Sequence, residues 1–134
     1  MLRAEVRLTK AKAIRAYTEE TSASRQIAEL TGRAEEIFLD TFKRVVPFGD
    51  FHKIKVVTEL IRKKVTDTRL RRKMLWLVEL IPKKKSLYLA KKAMNDRNID
   101  EVIEKFAEID VSPVTISKRH DVMHLKSLYS YLTI

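Results

Sequence analysis

Apolar residues recur along this chain at intervals of three and four, and nowhere in sustained alternation with polar ones. That period belongs to helices with one buried face. Two glycines and three prolines leave few turns to interrupt it. The expected fold class is therefore all-α: a compact bundle of about six to seven helices. A basic helical arm over residues 1–20 precedes a single bundle domain over 21–134.

The segments follow from stripes and caps. The first, about 2–20, places Leu2, Val6, Ala13 and Tyr17 on one stripe, with four alanines keeping the helix thin. The second, about 23–46, carries Ile27, Leu30, Ala34, Ile37, Phe38, Phe42 and Val45, and reads as one helix crossing Gly32 before Pro47 and Gly49 stop it. Asp50 is placed to cap a third over 51–65, and Asp67 a fourth that Pro82 ends near 81. Ser86 caps a fifth through Met94, and Asp100 a sixth over 101–109. Val111 to Ile116 is β-rich, but a lone strand has no partner, so it reads as an extended linker. A last helix over 117–132 carries Val122, Leu125, Leu128, Tyr129 and Leu132.

Charge selects the class of function. Lys plus Arg number 28 against 18 Asp plus Glu, a net +10 in 134 residues. Residues 51–97 hold fifteen basic and four acidic side chains, so they cannot pair among themselves. Such an excess calls for a polyanion: nucleic acid first, an acidic membrane surface second. The clusters are Arg62, Lys63 and Lys64; Arg69, Arg71, Arg72 and Lys73; Lys83, Lys84 and Lys85; and Lys91 and Lys92. Turns between helices can gather such clusters, and a phosphate backbone needs no more than that. On the first helix Arg3, Arg7 and Lys10 fall at i, i+4 and i+7, with Lys12 and Arg15 on neighbouring rows. These fifteen residues, the Lys91 and Lys92 pair aside, are the candidate nucleic-acid contacts.

Other chemistries find little support. No cysteine is present, which removes disulfides, thiolate catalysis and thiolate-bound zinc. No apolar run spans a bilayer and no secretory leader is visible, so the expected protein is neither transmembrane nor secreted. No glycine-rich phosphate loop can be built from Gly32 and Gly49 alone. His120, Asp121 and His124 have the shape of a zinc-protease helix, with the shorter Asp for Glu and no third histidine downstream, and read as exposed polar residues. The expectation is a protein that is not an enzyme and has no cofactor, metal or small-molecule substrate. A helix-turn-helix over 22–46 is a rival, from the offset of Ala28 and Gly32. Against it, Arg33 stands where an apolar turn residue belongs, and Glu35, Glu36 and Asp40 would face phosphates.

Taken together, these features resemble the small α-helical coat proteins of filamentous archaeal viruses. The residues that carry the likeness are Arg3, Arg7, Lys10 and Arg15, the basic turns at 62–73 and 83–92, and the apolar tail at 128–134. The paucity of Gln, Asn and Gly beside abundant Lys, Arg and Glu is a hyperthermophile bias. The resemblance rests on architecture and composition rather than a motif, so it transfers no individual site residue. It implies sequence-independent binding and packaging of double-stranded DNA, and assembly along it with itself or a paralogous coat subunit in a virion. A cellular nucleoid protein, a transcriptional regulator and an interaction module of a nucleoprotein complex are the alternatives.

Overall fold

A computed structural model describes residues 3–132. They contain seven α-helices and one two-stranded sheet, in agreement with the helical class read from the spacing. No helix among them is long and apolar enough to cross a membrane. The chain divides into two compact units, one up to Val46 and one from Pro47.

In the first unit, residues 3–9 are not helical and α1 covers only Ala11–Arg15. The expected helix over 2–20 is thus reduced to little more than one turn, and Leu2 lies outside the described residues. An isolated helix must overcome a costly nucleus, and α1 has no buried residue to help it. Two further helices follow, α2 (Ala23–Gly32) and α3 (Ala34–Val45), where one continuous helix was expected. The break is at Arg33, with φ −109° and ψ 14°. Its guanidinium donates to the Tyr17 carbonyl and to both oxygens of Glu36, at 2.9 and 2.7 Å. The small core holds Ile37 and Phe42, with Phe38 stacked on Phe42 at 5.5 Å. Tyr17 closes over it by donating to Asp40 at 2.6 Å. The ends of the expected stripe stay outside: Ile27 is 66% exposed and Val45 71%.

The second unit is built around α5 (Thr68–Lys84). It packs against α4 (Ile54–Lys64), α6 (Leu87–Met94) and α7 (Ile99–Glu108). The core unites Val57 and Ile61 of α4, Met74, Leu77, Val78 and Ile81 of α5, Ala90 and Met94 of α6, and Val102 and Phe106 of α7. The caps at Asp67 and Ser86 form as expected: their side chains accept from Leu70 N at 2.7 Å and Leu89 N at 3.3 Å. Pro82 does not end α5. It sits in the last turn, and the helix stops at Lys85, whose backbone is left-handed at φ 55°.

Asp50 does not cap a helix either. Phe51–His52 form strand β1, and α4 starts only at Ile54. β1 pairs antiparallel with β2 (His124–Leu125), Phe51 opposite Leu125 and His52 opposite His124. On its other side the same stretch meets the segment read as a linker, through parallel bridges Asp50–Val111 and Lys53–Ile116. Ser112 N donates to Asp50 O at 2.8 Å and Ile116 N to His52 O at 2.9 Å. The helix expected over 117–132 is absent. Lys53 Nζ reaches across to the carbonyls of Ser117 (2.6 Å) and His120, fixing a turn there. β2 follows, then a 3-10 turn over Leu128–Tyr131. Within the apolar tail, Tyr129 packs on Phe48 at 5.3 Å, while Thr133 and Ile134 lie outside the described residues.

Candidate nucleic-acid interface

The turn between α4 and α5 gathers two of the basic clusters. Val65, 1% exposed, anchors the turn in the core, and the Asp67 cap starts α5 two residues later. Arg62, Lys63 and Lys64 therefore occupy the last turn of α4, and Arg69, Arg71, Arg72 and Lys73 the first turns of α5. Arg62, Lys63, Lys64, Arg69 and Arg72 are exposed; Arg71 and Lys73 are half-buried.

Two of the seven are engaged within the fold. Lys64 Nζ donates to the Ile109 carbonyl at 3.2 Å, and Lys73 pairs with Asp96 at 2.5 Å. The Lys73 ammonium, then the Asn98 N–H, holds the Asp96 carboxyl below its ordinary range. Among the described residues this is the one ion pair made by the fifteen basic side chains of 51–97. Arg62, Lys63, Arg69 and Arg72 make neither an ion pair nor a side-chain hydrogen bond among those residues.

The placement of the α5 cations opposes the helix they sit on. Cations at the end of α4 complement its dipole, but those at the start of α5 oppose it, and the first turn of α5 holds no acid. Each such cation costs about 0.3–1 kcal/mol at low salt. The same arrangement favours an anion: an arginine-rich first turn adds its charge to the positive end of the helix.

Trp76, the only tryptophan, belongs to this face and was not singled out from the sequence. It lies one turn beyond Arg72 and two beyond Arg69, is 49% exposed, and shares a shallow cleft with Thr68, Arg69, Arg72 and Lys73. The signal was its i+4 and i+7 offset from the two arginines.

Lys83, Lys84 and Lys85 are exposed at the opposite end of α5, Lys83 about 15 Å along the axis from Lys73 at 1.5 Å per residue. In the first unit, Arg3 and Arg7 do not stack on a helix as expected. They flank Glu5 in a non-helical stretch, Arg3 at 3.6 Å. Lys10 precedes α1 while Lys12 and Arg15 lie on it, all three exposed.

The histidine pattern also resolves differently. His120 and His124 do not share a helix face. His124 stands on β2, its ring stacked on His52 at 4.8 Å, and its Nε2 lies 2.8 Å from Asp50 Oδ2. That hydrogen bond, then one from Ser127 N, holds the Asp50 carboxyl below its ordinary value. Burial, then the neighbouring His124, lowers His52.

Compared with protein families, curated proteins and solved structures, the chain matches none. What the site can do is therefore read from its own residues.

Proposed function

We propose that this protein binds double-stranded DNA through its phosphates, without reading its sequence, and packages it by assembling along it. The observation that carries this reading is the end of the α4–α5 hairpin. There Arg62, Lys63, Arg69 and Arg72 are exposed and free of ion pairs among the described residues. A solvated charged surface on a stable protein would mix both signs; here seven basic side chains of residues 62–73 surround one acid of that stretch, Asp67, whose carboxylate caps α5.

The charge arithmetic suits stoichiometric coverage. Duplex DNA carries roughly one charge per 1.7 Å, so a net +10 balances about five base pairs. A coat subunit of a filamentous virion is the setting we propose. A helix-turn-helix regulator fits less well, because α2 and α3 meet across the single residue Arg33, where that motif needs about three to four.

The test removes the four free cations together, as Arg62→Gln, Lys63→Gln, Arg69→Gln and Arg72→Gln. Four phosphate contacts contribute about 3.6 to the slope of log K against log salt. The quadruple variant should lose that much slope on any duplex, with its circular dichroism unchanged. An unaltered slope would remove the hairpin end from the interface. A change confined to one DNA sequence would replace packaging with site-specific recognition.

A further inference from the structure

We propose that Asp50, His52 and His124 form a binding site for one zinc ion. Asp50 and His52 lie 74 and 72 residues before His124 in sequence, and the pairing of β1 with β2 brings the three together. One donor atom from each lies within 4.8 Å of the other two. Two imidazoles and a carboxylate are a ligand set that zinc accepts readily, with solvent completing the coordination.

The geometry is directed, and more than a chance approach of surface groups. The strand register sets His52 directly opposite His124 on one face of the ribbon. Asp50 is oriented from behind: its Oδ1 accepts from Ser127 N at 2.8 Å, which leaves Oδ2 turned to the histidine at 2.8 Å. A carboxylate anchored through one oxygen and presenting the other is the arrangement that supports a metal ligand.

Zinc bonds of about 2.0–2.2 Å at tetrahedral angles put neighbouring donors roughly 3.3 Å apart. The histidine–aspartate separation must open by about half an ångström, and the widest separation must close by about 1.5 Å, for such bonds to form. Side-chain rotation supplies both, since His124 is exposed and Asp50 and His52 are only half-buried. The ion would take the place of the proton between His124 Nε2 and Asp50 Oδ2. Its effect on the fold is a clamp: it ties β2, and with it the segment through Leu132, to β1. The site owes nothing to the DNA-binding face and its test uses no DNA.

The experiment is calorimetric titration of the metal-stripped full chain with zinc chloride, beside His124→Ala, His52→Ala and His120→Ala. The expected result is one ion per chain, with affinity reduced at least tenfold by His124→Ala and by His52→Ala, and unchanged by His120→Ala. Zinc at a hundredfold excess over Kd should also raise the Tm of the native chain by about 10 °C, and of His124→Ala hardly at all. His124 is exposed, so its replacement leaves the fold intact, which circular dichroism verifies. Zinc binding that is absent, or equally weakened by His120→Ala, overturns the proposal.

Discussion

Replacing Gly49 with alanine tests the turn that delivers β1 to its place. Gly49 has φ +113°, a conformation that side-chain-bearing residues rarely adopt. A Cβ built there would lie 2.5 Å from the Val111 carbonyl carbon, 2.7 Å from Val111 N and 2.8 Å from Ser112 N. All three are backbone atoms of the segment that bridges to Asp50, so no side chain can swing aside. The backbone conformation costs about 1–3 kcal/mol. Forcing the two segments apart adds about 1–3 kcal/mol, as in other overpacked sites. A loss of about 2–6 kcal/mol is a large share of a domain's usual 5–15 kcal/mol. For a unit of this size it corresponds to a fall in Tm of roughly 10–45 °C. Fluorescence of Trp76, the sole tryptophan, reports the melting of the unit that contains Gly49. Lys85→Gly is the internal control. Its left-handed backbone, at φ 55°, suits glycine, so this change should be neutral or stabilising by up to about 1 kcal/mol. A Gly49→Ala protein melting within a few degrees of the native one would refute the reasoning.

Three further outcomes follow from particular contacts. Phe106 is fully buried where α7 meets the core, and Phe106→Ala should cost about 3–5 kcal/mol in chemical denaturation. The Asp96 carboxyl is held low by Lys73, so its contribution to stability is complete above its unfolded pKa. That contribution disappears as pH falls through the lowered folded value, so the stability gap between native protein and Asp96→Asn, measured in urea, should close on acidification. Trp76 emission should shift when duplex DNA binds, because the ring shares its cleft with Arg69 and Arg72; an unchanged spectrum at saturation would place the DNA elsewhere.

The legible parts of the fold are those fixed by local signals. Asp67 and Ser86 each precede an apolar stripe and cap the helix expected of them. The stripe on α5 is buried as read: Met74, Leu77, Val78 and Ile81 all enter the core. The misread parts depend on pairing between residues far apart. Asp50 has the chemistry of a cap, and once assigned to a helix it left Val111 to Ile116 without a strand partner. In the fold, Asp50 and Lys53 pair with that very segment. The spacing of Val122, Leu125, Leu128 and Leu132 imitates a helix, yet Val122 and Leu125 are exposed and Leu125 sits in a strand. Periodicity within a segment carries no information about a partner 70 residues away. The same limit hid the convergence of His52 and His124, whereas the basic clusters were visible because consecutive residues carry them.

The binding of purified protein to random-sequence duplexes across a salt series tests DNA packaging most directly. Two unrelated duplexes and an RNA duplex should be compared. The expected result is one steep slope shared by the two DNAs, at least about −3.6 in log K against log salt, and cooperative filaments at saturation. Binding that is insensitive to salt, or that favours one DNA sequence by orders of magnitude, would contradict it.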